Sequence, residues 1–102
     1  MHERDTETLR TTAAEFLARE AGRESLITVT RAEMGEDRKH GVIYITVYPD
    51  SAEVGALNFC NRNRGEFGKF FEKRVRGMRL PHVEFVIDEG EKYRRRLDEL
   101  GK

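Results

Sequence analysis

The sequence predicts an α+β protein, a two-layer sandwich of a three-stranded sheet and helices, with element order α-β-β-α-kink-α-β and a short C-terminal helix. Three observations predict it. Apolar residues recur at helical spacing near both ends and through the middle. Three short β-branched or aromatic stretches alternate in between. Proline and glycine fall where these patterns change. At 102 residues the chain has room for one core, so residues 1–102 are read as one domain.

The first helix is expected over Thr6–Ala21. Asp5 can cap it, Glu7 suits the positive first turn, and Leu9, Ala13, Phe16, Leu17 and Ala21 share a face. Gly22 follows where a left-handed closing residue belongs. Leu26–Thr30 is β-branched, with Ile27 and Val29 on one face. Ala32 and Met34 sit at the opposite parity, so a bulge near Thr30–Arg31 would bring all four to the same side. Gly35–Lys39 is a turn, and His40–Tyr48 alternates Ile43, Ile45 and Val47 against Tyr44, Thr46 and Tyr48. The two strands form a hairpin.

Pro49 stops the second strand, and Asp50-Ser51-Ala52-Glu53 has the spacing of a capping box. A helical stripe then runs through Ala56, Leu57, Cys60, Phe67, Phe70, Phe71 and Val75, interrupted by Asn61–Gly65. Gly65 inside a helix costs about 1 kcal/mol relative to Ala, which marks a kink or a close backbone approach. Gly77-Met78-Arg79 is expected to end the second piece. Pro81 opens a strand in which Val83, Phe85 and Ile87 alternate with His82, Glu84 and Val86. Glu91–Leu100, with Tyr93, Leu97 and Leu100 in phase, is a short amphipathic helix.

Net charge is zero, but it is unevenly placed. Residues 1–61 hold seven Lys/Arg against eleven Asp/Glu, residues 62–79 seven against two, and residues 80–102 five against six. A basic segment of that kind makes a local positive field, because screening acts over only about 8–10 Å. No apolar run has the length of a membrane span, and no secretory signal is expected at the N-terminus. Cys60 alone can make neither an internal disulfide nor a cysteine-based zinc site. His2, His40 and His82 show no ligand spacing, and no phosphate loop or dinucleotide fingerprint occurs. No catalysis, metal, cofactor, membrane or small-molecule substrate is expected, and the expected location is the cytoplasm.

Leu26–Thr30, Val42–Val47 and Leu80–Glu89 together are similar to the ribosome-binding factor A family. The family's third-strand pattern, Val-Pro-Glu-Leu-x-Phe-x-x-Asp, is met by Leu80–Asp88 with His82 in place of the glutamate. Tyr93 and Arg96–Leu100 match the family's tail. The resemblance covers Leu26 to Leu100. It implies a K-homology-like fold in which an Ala-x-Gly kink between two helices replaces the usual Gly-x-x-Gly loop. Gly65 stands at that glycine, with Asn63 where the alanine is expected. The first helix lacks the family's usual opening, and an Asp-Pro-Arg element before Leu26 is absent. The resemblance also implies a maturation factor that binds small-subunit ribosomal RNA near the neck and decoding region, late in assembly and rRNA processing. The partners would be that RNA and the small-subunit precursor.

Residue chemistry converges on the same bend. A restarted helix exposes N–H groups that attract phosphate, and Gly65 lets a sugar-phosphate chain approach. Arg62 and Arg64 can each grip a phosphate with paired hydrogen bonds. Asn61 and Asn63 can address base edges or 2′-hydroxyls, and Lys69, Lys73, Arg74, Arg76 and Arg79 would extend the track. The expected RNA-binding set is therefore Arg62, Asn63, Arg64, Gly65, Lys69, Lys73, Arg74, Arg76 and Arg79, on a monomer. Against each stands a plainer role. Gly65 could serve packing, Asn63 a local cap, Lys69 and Lys73 a solvated face, and Arg74 or Arg76 an ion pair with Glu72 or the acidic N-terminal half. Phe67, Phe70 and Phe71 are read as core. The alternative function is a protein–protein module using Tyr44, Tyr48 and the outer sheet face.

Overall fold

The computed structural model describes residues 3–21 and 26–101. Helix α1 spans Glu3–Glu20, strand β1 Leu26–Met34 and strand β2 His40–Tyr48. A 3₁₀ turn at Asp50–Ala52 leads into α2 (Glu53–Arg62), which is followed by α3 (Arg64–Arg74), β3 (His82–Ile87) and α4 (Glu89–Leu100). The sheet order is β1-β2-β3, with β1 antiparallel and β3 parallel to β2. The predicted fold class and element order hold.

The alternation in β2 works as the sequence implies: Ile43, Ile45 and Val47 are buried. The hairpin register shifts between Val29 and Arg31, and this bulge turns Ala32 and Met34 to the core side with Ile27 and Val29. Leu9, Ala13, Phe16 and Leu17 of α1 pack with Cys60, Phe67, Phe71, Val83 and Phe85 into one cluster. Phe67 is its hub, with ring centroids 5.5 Å from Phe16, 6.0 Å from Phe71 and 6.1 Å from Phe85. Gly41 is a true close-approach glycine, since a Cβ there would stand 3.2 Å from the Glu33 carbonyl oxygen and 3.3 Å from Pro81.

Several boundaries differ from expectation. Asp5 lies inside α1 rather than capping it, and its carboxylate takes the Arg38 guanidinium of the hairpin turn. The expected glycine cap at Gly22 lies outside the described residues. Asp50 and Glu53 form no capping box. Asp50 opens the 3₁₀ turn and pairs with Arg96 at 2.7 Å, while Glu53 pairs with Lys92 at 2.9 Å. Ion pairs to α4 outcompete the local cap. Helix α3 ends at Arg74, and Val75 is already extended, so Arg76 and Arg79 ride on the loop to β3. That loop turns at Gly77, whose φ is 81°.

Helix α4 departs most from expectation. Its stripe does not join the core: Tyr93 is 64%, Leu97 49% and Leu100 83% exposed. Instead Lys92, Arg95 and Arg96 face the body, and Arg95 Nη2 donates to the Thr46 hydroxyl at 2.9 Å. Asp88, only 7% exposed, caps α4 by accepting from Glu91 N–H at 3.0 Å. It also accepts from the Thr30 hydroxyl at 2.6 Å and from Arg31 Nε at 3.4 Å. Burial pushes its carboxyl up, but the Thr30 hydroxyl, the Glu91 N–H and Arg31 outweigh burial and hold it below the ordinary range. The bulge of β1 and the start of α4 are thus fastened by one carboxylate.

Candidate nucleic-acid interface

Helices α2 and α3 are separated by a single residue. Asn63 takes φ −98°, ψ 17°, and its N–H is shared between the carbonyls of Phe59 and Cys60 at 3.1 and 3.2 Å. Its side chain folds back, with Nδ2 donating to Phe59 O at 2.8 Å. Asn63 therefore closes α2 and makes no side-chain cap on α3. The first-turn N–H groups of α3, at Arg64–Glu66, have no acceptor within their own helix and gain no cap from Asn63. A polyanion is a suitable partner for such a turn.

Gly65 lies in that first turn, and a Cβ built on it meets nothing within 4 Å. The packing explanation for this glycine is removed, and an open approach to the backbone is what its missing side chain leaves. Gly55, at the other end of α2, is equally open. Gly55, Asn58, Asn61, Arg62 and Arg64 line a groove of about 710 Å³. A second cleft of about 250 Å³ is lined by Arg64, Gly65, Leu80, Pro81, His82 and Val83. Arg64 borders both, so together they make a path from α2 across the kink to the start of β3.

The guanidiniums are only lightly engaged by protein. Arg62 Nε donates to Asn58 O at 3.3 Å, and Arg64 Nη1 to Val83 O at 3.4 Å. Each guanidinium has five donors, so most remain for a ligand. Asn61 is different. Its Nδ2 donates to Leu57 O and Phe85 O, both at 3.2 Å, and its Oδ1 accepts from Phe85 N–H at 3.1 Å. The amide acts as a one-residue strand neighbour on the edge of β3. The expectation that Asn61 addresses bases conflicts with this geometry, because both ends of its amide are occupied.

The expected basic track is divided around α3. At about 100° per residue, a helix carries residues 64 and 74 to opposite flanks of its buried stripe. Arg64 faces β3, whereas Arg74 lies 2.7 Å from Glu15 of α1 with Cζ 4.8 Å from the Phe70 ring centre. Lys69 sits 3.6 Å from Glu66, and with Lys73 it lines a separate hollow of about 260 Å³ beside Arg19 and Phe70. Phe67 and Phe71 are core as expected, while Phe70 is half-buried under Arg19 and Arg74. Gly55, Asn58 and His82 were missed by sequence reading. A glycine inside each helix, Gly55 on the larger groove and Gly65 on the smaller, was the available signal.

The outer sheet face is less open than its two tyrosines implied. The Tyr44 hydroxyl donates to Glu33 at 2.8 Å, and Arg31 stacks over its ring at 3.7 Å. The Tyr44 hydrogen bond leads the causes that lower the Glu33 carboxyl. Tyr48 is exposed. Among the described residues no group of acids, histidines or cysteine forms a metal cluster, and no helix is long and apolar enough to cross a membrane. His2 lies outside the described residues. Cys60 is buried, and burial pushes its thiol up to about 11.

A three-stranded mixed sheet backed by two helices that meet at a glycine-bearing kink defines a K-homology-like protein. This chain belongs to the ribosome-binding factor A family, whose model matches residues 1–101. It is 30% identical over 67 residues to ribosome-binding factor A of Fervidobacterium nodosum, covering 65% of this chain and 54% of that protein. It is 32% identical over 77 residues to that of Geobacter metallireducens, covering 74% and 65%. The matched stretch thus spans less than two thirds of these relatives. In fold it resembles the crystal structure of ribosome-binding factor A from Thermus thermophilus, with TM-score 0.76 and 24% identity over 85% of this chain and 94% of that one. It also resembles a homology model of the Thermus thermophilus factor fitted into the cryo-EM map of a 30S complex. That match has TM-score 0.69 and 26% identity, covering 79% and 88%.

Proposed function

We propose that this chain is a non-catalytic, monomeric assembly factor of the cytoplasm that binds the small ribosomal subunit precursor. It would contact small-subunit ribosomal RNA during late maturation and rRNA processing. Family membership supports the class of partner. The observation that carries the mode of binding is Gly65: an open glycine in an uncapped first turn, bordered by Arg62 and Arg64. Phosphates would enter there, and the groove over Gly55 and Asn58 would hold the adjoining strand. Arg62, Asn63, Arg64 and Gly65 form the centre of this site. Arg76 and Arg79 on the following loop, and Lys69, Lys73 and Arg74 around α3, would meet RNA that curves about the helix. Binding without chemistry accords with a Cys60 thiol that is buried and little ionised at neutral pH.

The test is binding to small-subunit precursors over a salt series. Each phosphate contact contributes about 0.7–0.9 to the slope of log affinity against log salt. Arg62→Glu with Arg64→Glu should therefore flatten the slope by about 1.4–1.8. A double variant that keeps the native slope and affinity would remove the kink from the interface.

A further inference from the structure

The two clefts that meet at Arg64 end differently. The larger runs onto glycine and asparagine, and the smaller runs onto an imidazole. His82 opens β3 and is exposed. It pairs in register with His40 at the start of β2, the two rings standing edge to face with centroids 6.2 Å apart. The His82 N–H donates to Lys39 O at 2.9 Å, which fixes the hairpin turn beside it. Arg64 arrives from α3, and Gly65 leaves that wall open. Three elements thus bring Arg64, His82, His40 and Lys39 to one end of the sheet.

The acids nearby do not cancel this charge at His82. Asp37 lies 3.6 Å from His40 Nδ1, and Asp5 is engaged by Arg38. Glu84 follows two residues along the same face of β3. No ion pair between described residues involves His82.

We infer that the cleft between Gly65 and Pro81–His82 is a second phosphate subsite on the same RNA path, and that a proton on His82 turns it on. A neutral imidazole offers one N–H donor, whereas the imidazolium offers two and a full charge. A protonated His82 would therefore place a second donor and a cation beside Arg64 and the open backbone of Gly65. A bound phosphate favours the charged ring, so binding takes up a proton and affinity rises as pH falls. His40 is the poorer sensor, because its charge would be met by Asp37 and would repel a charged His82. This subsite rests on the proposed RNA interface, and it adds a pH response which the arginines cannot supply.

The experiment measures affinity for purified small-subunit precursors at about pH 6 and about pH 8, at constant ionic strength. The wild-type chain should bind about fivefold tighter at the lower pH, with a salt slope steeper by about 0.7–0.9. His82→Gln should lose the pH response and bind with the same affinity at both values. His82→Lys, which fixes the charge, should bind at the higher pH as the wild type binds at the lower. His40→Gln should keep the response. Since His82 is exposed, none of these should change the circular dichroism spectrum. A pH response that persists in His82→Gln, or a wild type that binds equally at both, overturns the subsite. If Arg62→Glu with Arg64→Glu binds as the wild type does, the kink reading fails and the subsite falls with it, whereas absence of the wild-type pH response alone removes only the subsite. Absence of binding at either pH overturns both.

Discussion

Replacing Asn61 separates an architectural amide from an RNA reader. The side chain makes three hydrogen bonds, two of them to the N–H and C=O of Phe85 on the edge of β3. Each bond contributes about 1 kcal/mol net, and a buried backbone group left without its partner costs about 1–3 kcal/mol. Asn61→Ala should therefore lose about 3 kcal/mol of stability. Asn61→Asp should lose at least as much, about 3–4 kcal/mol, because it keeps the acceptor for Phe85 N–H but aims a second oxygen at the Leu57 and Phe85 carbonyls. Urea unfolding reads this directly. With a slope of about 1–1.5 kcal/mol per molar for a chain of this size, the midpoint should fall by about 2–3 M. Affinity of the folded Asn61→Ala protein for small-subunit precursors should stay within about twofold of wild type. The reverse pattern, a native midpoint with a large loss of RNA affinity, would show that this amide addresses bases after all.

Other substitutions probe the same architecture. Gly65→Ala should raise stability by up to about 1 kcal/mol, since its Cβ meets nothing, while Gly65→Leu should weaken binding to the precursor about tenfold without lowering Tm. Asp88→Ala should cost about 3 kcal/mol at neutral pH, seen as a drop of about 10–20 °C in Tm. Because the folded carboxyl sits below its ordinary range, the contribution of Asp88 is present above the unfolded value and lost as pH falls through the folded one. The gap between wild type and Asp88→Ala in acid unfolding should accordingly close below about pH 4. Phe67→Ala, at the hub of the aromatic core, should cost about 3–5 kcal/mol in the same urea assay. Cys60 should react with iodoacetamide at the rate of global unfolding and no faster, because its buried thiol is pushed up to about 11.

What was legible in the sequence follows a physical divide. Elements whose two faces differ in polarity announced themselves. The alternation of β2, the parity change that required a bulge at Val29–Arg31, and the stripe of α1 each had one low-energy solution. The kink was legible because a glycine that follows two closely spaced arginines serves a helix badly and a phosphate well. Side chains satisfied by distant backbone were not. Nothing local says that Asn61 meets Phe85, 24 residues away, whereas the charge pattern did offer Arg74 the acidic N-terminal half, from which the fold selects Glu15. Helix α4 misled because periodicity shows only that one face is apolar, not which face meets the body. Its cations found Asp50, Glu53 and Thr46, and these contacts orient its apolar stripe outward.

The division of the basic segment bears on how the protein would hold RNA. Charge reversal at Arg62 and Arg64 acts on a groove that both guanidiniums line, at the junction of α2 with the start of α3. Reversal at Lys69 and Lys73 acts on an exposed face whose cations stand apart from that groove and beside Glu66. Converging donors fix a register, whereas dispersed cations only raise the local potential. The kink variants should therefore alter which RNA positions are protected in footprinting. Lys69→Glu with Lys73→Glu should weaken binding at every salt concentration while the protected positions stay the same. Equal footprint changes from both pairs would mean that α3 presents a single continuous surface, and the absence of any lining residue shared by the Arg62–Arg64 groove and the Lys69–Lys73 hollow argues against that.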